Sequence, residues 1–230
     1  SIKGYTEGLQ DGIADTPEKQ KRYYEAIHVR AMDMEALVDS LSVFSRLENR
    51  HHRYQLELVD MKEYLEQLLE EYKEEAEQKK ITLLMEWTAR NTQVKLDLQE
   101  MHRVFINLFE NSVKYRTKER SVIKLILDER GTDLEIRVAD DGPGVPEADL
   151  EHIFNSFYRG DASRTKPGSG SGLGLAIVKQ IVEGHGGKIC AYNDHGLVIV
   201  ITLPLVRERL GGSRENGKGE TGENEENTGG

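Results

Sequence analysis

The chain has 230 residues, enough for one or two domains, and its 31 basic and 41 acidic residues give a formal charge of −10. That sign argues against nucleic acid as a partner. The single cysteine, Cys190, excludes an intrachain disulfide and fits a reducing, cytosolic setting. No run of about 18 apolar residues occurs, so no segment here reads as membrane-spanning. The opening Ser1-Ile2-Lys3-Gly4-Tyr5 has neither Met nor a signal sequence and reads as the start of a fragment.

In chain order, Ser1 to Ile13 reads as the end of a helix antiparallel to the next one. Asp15-Thr16-Pro17-Glu18 is a turn and helix start: Thr16 can cap, and Pro17 suits the first helical position. Tyr24, Ile27, Ala31, Met34, Leu37, Val38, Leu41 and Phe44 then fall at three- and four-residue steps, the stripe of a long bundle helix. Residues 1–48 are therefore expected to form part of a helical hairpin. From residue 54 the pattern changes. Met61 to Lys80 reads as a charged helix with Leu65, Leu68, Leu69 and Tyr72 inward. Ile81 to Trp87 and Val94 to Leu96 read as strands, and Leu98 to Tyr115 as a helix. Val122 to Asp128 and Leu134 to Ala139 alternate as neighbouring strands around Gly131-Thr132-Asp133. A helix over Gly172 to Glu183 and a hairpin of Lys188–Asn193 with Leu197–Leu203 complete a second domain, 54–206. Helices alternating with antiparallel strand pairs predict an α+β sandwich with the helices on one sheet face. The remainder, 207–230, is an acidic, Gly-rich tail. Its last twenty residues hold seven Gly, five Glu and no apolar side chain, so it reads as disordered.

Three constellations carry chemistry. On the helix 98–115, Met101, Val104, Phe105, Leu108 and Ser112 form a core stripe. Asn107, Asn111, Lys114 and Tyr115 form a second face. An amide oxygen can hold Mg²⁺, a lysine can neutralise phosphate, and a phenol ring can cover a base; a merely solvated polar face would use the same residues. Asp140-Asp141-Gly142-Pro143-Gly144 follows a strand and forces a tight turn. It either presents a carboxylate to an exocyclic amine or is an ordinary β-turn. Gly168-Ser169-Gly170-Ser171-Gly172-Leu173-Gly174-Leu175 runs straight into an apolar helix, so its backbone N–H groups and the helix dipole can meet phosphate. It lacks the Gly-Lys-Ser/Thr of a P-loop, and no strand precedes it as in a dinucleotide fingerprint.

In order and spacing these segments resemble the histidine kinases of two-component systems, over about residues 1 to 205. Asn107-Leu108-x-x-Asn111-x-x-Lys114-Tyr115 is similar to their N box, and Asp140-x-Gly142-x-Gly144 to the G1 box. Ile153-Phe154-x-x-Phe157-Tyr158-Arg159-Gly160-Asp161 is similar to the F box. Gly170-x-Gly172-Leu173-Gly174-Leu175 is similar to the G2 box, with His185-Gly186-Gly187 following. The resemblance implies a Bergerat-type ATP site. Asp140 would bind the adenine amine, Asn107 would hold Mg²⁺, and Asn111 would support metal or phosphates. Lys114 would contact phosphate and Tyr115 would pack by the base. Asn155 to Ser169 would be a lid anchored by Phe154 and Phe157, with Arg159 or Arg164 reaching the γ-phosphate. It also implies a homodimeric, membrane-anchored parent and a response regulator receiver domain as partner.

The chain departs from the family's pattern in one respect. The family's phosphoacceptor is a His followed by an acidic residue with a Pro a few positions on, and none of the seven histidines has that context. The expectation is a complete donor site that does not phosphorylate itself. Two alternatives remain: an ATPase of the gyrase and mismatch-repair kind, and an ATP-responsive signalling module without phosphotransfer. The ATPases place a water-activating Glu where this chain has Asn107, an amide that cannot act as a base.

Overall fold

A computed structural model describes residues 1–48, 52–160 and 171–206. The expected tail, residues 161–169 of the expected lid with Arg164, and Gly170 of the glycine-rich segment lie outside the described residues.

The chain begins with a helical hairpin of α1 (Ile2–Gln10) and α2 (Pro17–Glu48). Ser1 caps α1 by accepting the Gly4 N–H, and the Thr16 hydroxyl accepts the Lys19 N–H at 3.2 Å at the head of α2. The two helices meet where Tyr23 packs edge-on to Tyr5, and Gly8 lets that ring close in: a Cβ at Gly8 would lie 2.7 Å from Tyr23. Most of the α2 stripe is exposed, including Tyr24, Met34, Val38 and Leu41. Only its last turns sink into the rest of the molecule, where Phe44 and Leu47 join the main core.

Next come β1 (Glu57–Asp60), α3 (Met61–Gln78), β2 (Ile81–Trp87), β3 (Gln93–Leu96) and α4 (Leu98–Tyr115). They are followed by β4 (Ser121–Arg130), β5 (Asp133–Asp140), a 3-10 turn at Glu147–Asp149, α5 (Gly174–Gly184), β6 (Lys188–Asn193) and β7 (Leu197–Pro204). The main sheet has the order β2-β4-β5-β7-β6, and β1 pairs with β3 in a separate two-stranded ribbon. The sheet is not purely antiparallel: β2 and β4 run parallel, because the chain between them crosses over through α4 and a parallel pair requires such a crossover.

Helices α3, α4 and α5 share one core with the alternate residues of β4, β5 and β7. Leu125, Leu127, Leu134, Ile136, Ile201 and Leu203 meet Leu65, Met101, Phe105, Phe109, Val178 and Ile181, all at most 1 % exposed. Asp60 and Asp97 cap α3 and α4, each accepting two first-turn N–H groups. The predicted α+β architecture thus stands, with β1 added and with a parallel β2–β4 pair among the expected antiparallel ones. No helix among the described residues is long and apolar enough to cross a membrane.

Candidate functional site

Between α4, the end of β5 and the start of α5 lies a cavity of about 600 Å³. Asp140, the last residue of β5, is set into its wall by three neighbours. Its Oδ1 accepts the Gly142 N–H at 2.9 Å and the Leu197 N–H at 3.1 Å. The Ser112 hydroxyl lies 3.3 Å from Oδ2 and 3.1 Å from the Leu108 carbonyl, so its one proton serves either. Two backbone donors fix the carboxylate plane and leave Oδ2 able to accept a further hydrogen bond. The neighbouring Asp141 turns away: it accepts the Val122 N–H and pairs with Lys118 at 2.9 Å. Of the two adjacent carboxylates, Asp140 alone faces the cavity. Gly142 is packed onto the Asp140 carboxylate, and Gly144, at φ +71°, lines the cavity.

Helix α4 supplies the facing wall with Asn111, Lys114 and Tyr115, one helical face as its spacing predicts. The Lys114 ammonium sits 5.1 Å above the Tyr115 ring. Desolvation and the nearby Arg159 guanidinium hold the Lys114 pKa below its ordinary value, against the opposing pull of Glu110 and Asp33. Asp33 belongs to α2, so the hairpin runs close to this end of the site. Asn107 stands one turn before Asn111, beside the cavity. Its Nδ2 donates to the Arg103 carbonyl at 2.8 Å, which orients Oδ1 toward the head of α5. A Cβ at Gly174 would lie 2.9 Å from that oxygen, so the glycine is what lets the two helices approach.

The first-turn N–H groups of α5, from Gly174 to Ala176, precede its first helical bond, Ile177 N–H to Leu173 O at 2.8 Å. Leu175 lines the cavity, whereas Leu173 is wholly buried and serves the core. Gly172, at φ +72°, sits so tightly on Phe157 and Tyr158 that a Cβ would come within 2.9 Å of their backbone. The Phe157 N–H donates to the Gly172 carbonyl at 2.9 Å and ties the two sides of the expected lid at its base. Phe154 is buried as an anchor, but the Phe157 side chain is exposed, on a backbone with a left-handed φ of 63°. Arg159 and Gly160 line the cavity mouth.

Two features away from the cavity hold its frame. Arg46 of α2 bonds Glu100, buried in the first turn of α4, at 2.6 Å. His185 is also buried: its Nε2 accepts the Asp97 N–H at 2.9 Å and its Nδ1 lies 2.7 Å from the Ile181 carbonyl. These contacts need the neutral ring protonated on Nδ1. Burial holds the His185 pKa below its ordinary value, outweighing the Ile181 bond and the charges of Asp97 and Glu100.

Sequence reasoning missed Thr117, Val145, Asp149, Tyr158, Leu197 and Ile199 as lining residues. Leu197 and Ile199 lie in the apolar run of β7, which has no alternation to tell one face from the other. Thr117 and Val145 lie in loops and Asp149 in a 3-10 turn, with no period to read, whereas Tyr158 lies in the segment similar to the F box.

Residues 96–207 match the family described as histidine kinase-, DNA gyrase B-, and HSP90-like ATPase, and residues 1–50 match the His Kinase A (phospho-acceptor) domain. Sensor protein kinase WalK of Staphylococcus saprophyticus is 31% identical over 207 residues, 89% of this chain and 34% of that protein. Sensor histidine kinase WalK of Bacillus subtilis is 28% identical over 212 residues, 91% of this chain and 34% of that one. This chain spans about a third of the length of these curated relatives. The catalytic domain of histidine kinase ThkA superposes with a TM-score of 0.57 at 29% identity, covering 65% of this chain and 95% of that chain. A solved complex of histidine kinase ThkA with response regulator protein TrrA shares the fold, with a TM-score of 0.70 at 24% identity over 89% of this chain and 57% of that chain.

Proposed function

This chain belongs to the sensor histidine kinases of two-component systems, and on that premise we propose that it is the nucleotide-binding, phosphoryl-donating core of such a kinase. Residues 54–206 are the catalytic domain, 1–48 part of the dimerisation hairpin, and 207–230 an acidic tail. One observation carries this reading: a carboxylate fixed by two backbone donors shares a cavity with Asn111, Lys114, Tyr115 and Arg159. A base with an exocyclic amine fits the Asp140 end, and a polyphosphate fits the cationic end beside the α5 N-terminus.

In this reading Asp140 Oδ2 accepts from the adenine amine while Tyr115 covers the ring. Lys114 and Arg159 take phosphate oxygens. Asn107 Oδ1, oriented by the Arg103 carbonyl, would suit a hard cation such as Mg²⁺. There Mg²⁺ would supply charge neutralisation at the phosphates. Phosphoryl transfer needs mainly positioning and electrostatics. The bond from the γ-phosphorus to the ADP oxygen breaks as one to an imidazole nitrogen forms. The histidine is supplied by another helix of a homodimeric, membrane-anchored parent, and the phosphoryl group passes on to an aspartate of a response regulator receiver domain. The setting is cytoplasmic.

Hydrolysis is the disfavoured outcome. The carboxylates lining the cavity, among the described residues, are Asp140 and Asp149. In this reading the first is taken by two backbone N–H groups on Oδ1 and the adenine amine on Oδ2, and the position that would hold a water-activating Glu is Asn107. The test is phosphate release from Mg²⁺-ATP by this chain alone. Slow release, with ATP persisting in the site, is expected; sustained turnover would favour the ATPase alternative.

A further inference from the structure

We propose that Asn193, which does not line the cavity, is a positioning residue for the base end of the nucleotide site. The inference rests on the nucleotide reading above and adds a residue to it. The wall formed by Pro143-Gly144-Val145-Pro146 follows β5 and belongs to no strand. Its two prolines have no N–H, so only Gly144 and Val145 can donate from it. The Val145 N–H goes to Asn193 Oδ1 at 3.0 Å, and Asn193 Nδ2 returns a bond to the Val145 carbonyl at 2.7 Å. The second proton of that amide has Glu147 Oε1 at 3.3 Å. Every hydrogen-bonding direction of the amide except one oxygen lone pair is used on this loop.

Asn193 ends β6, and the reversal that follows it reaches Asp140. Leu197, the first residue of β7, gives its N–H to Asp140 Oδ1. Gly196 is packed against the Asp140 backbone so closely that a Cβ there would lie 1.9 Å from its carbonyl oxygen. A Cβ at Gly144 would lie 2.5 Å from Asn193 Oδ1. One hairpin end therefore holds both the carboxylate that meets the base and the loop that walls it, and Asn193 fixes the distance between them. The cationic groups of the phosphate end stand on other elements.

The test compares Asn193→Ala with the unsubstituted chain by calorimetric titration of adenosine, Mg²⁺-ATP and Mg²⁺-GTP well below the melting transition. Loss of two bonds that set the wall should weaken adenosine and ATP by the same factor, on the order of tenfold, and narrow the preference for ATP over GTP. Asn193→Asp, of the same size, should be weakened at least as much, because its carboxylate would face the Val145 carbonyl and Glu147. A lower melting temperature with unchanged affinities in both variants would overturn the proposal, leaving Asn193 a structural residue. Weaker ATP binding with unchanged adenosine binding would overturn it too. If the unsubstituted chain bound neither adenosine nor ATP, the nucleotide reading itself would fall, and this inference with it.

Discussion

Asp140→Asn is a sharp perturbation because the structure dictates which oxygen is replaced. Oδ1 receives two backbone N–H groups, from Gly142 and Leu197. An asparagine must keep its carbonyl there, since its NH₂ would oppose two donors. The NH₂ then takes the place of Oδ2, beside Ser112 Oγ, and points a donor at the adenine amine. One charge-assisted hydrogen bond is lost, worth about 1.5–3 kcal/mol, which is about 10- to 150-fold in affinity. Guanine presents a carbonyl at the same position, so the variant should bind Mg²⁺-GTP better than the unsubstituted chain does. The preference for ATP, of a kind that can reach on the order of 10⁴-fold where a polar site meets an unmatched analogue, should collapse or invert. Calorimetric titration with both nucleotides measures this directly, with melting temperature as control. Equal loss of both nucleotides, or unchanged ATP affinity, would refute the assignment of Asp140 to the base.

Three further outcomes follow from the same geometry. Asn107→Ala should abolish the gain in ATP affinity that Mg²⁺ provides while leaving binding in chelator unchanged; an intact Mg²⁺ increment would remove Asn107 from the metal role. Gly174→Ala should leave the melting temperature level or slightly higher, since alanine favours helix. It should still weaken Mg²⁺-ATP binding on the order of tenfold, because the new methyl displaces the Asn107 oxygen; unchanged Mg²⁺-ATP affinity would show that this approach of the two helices does not matter. His185 binds its proton less readily folded than unfolded. Its stabilisation is therefore present above the unfolded pKa of about 6.5 and declines as pH falls below it, by at most about 1.4 kcal/mol per pH unit. Urea denaturation between pH 7.5 and 5.5 should show this decline, and His185→Gln should show less of it; identical profiles would contradict the buried neutral ring.

Much of this was legible in the residues. Helix α4 was read to its ends because its two stripes keep a helical period. β4 and β5 alternate cleanly, β7 is a continuous apolar run, and all three were located to within a few residues. β1 was missed because four residues with only Leu58 and Val59 apolar give no periodic signal, and its partner β3 lies more than thirty residues on. The parallel pairing of β2 is a property of the crossover and leaves no mark in the strand itself. The face of Asn111, Lys114 and Tyr115 followed from spacing, and Asp140 from its turn. What holds Asp140 did not: the Leu197 N–H comes from a residue 57 positions away, and a backbone group carries no sequence signature. Asn193 reads as the last residue of a hairpin strand until its partner, Val145, is known. The resemblance implies Phe157 as a lid anchor, yet its side chain is exposed.

The central claim is that this site delivers a phosphoryl group to an imidazole and that the chain's own seven histidines do not receive it. The decisive measurement incubates the chain with γ-labelled Mg²⁺-ATP, alone and with a separate helical hairpin bearing a histidine followed by an acidic residue. The products are separated and treated with acid or alkali. Acid-labile, alkali-stable label on the added hairpin, and none on this chain, is the predicted result. Acid-labile label on this chain alone would contradict it, by making one of its own histidines the acceptor, and so would label released only as inorganic phosphate.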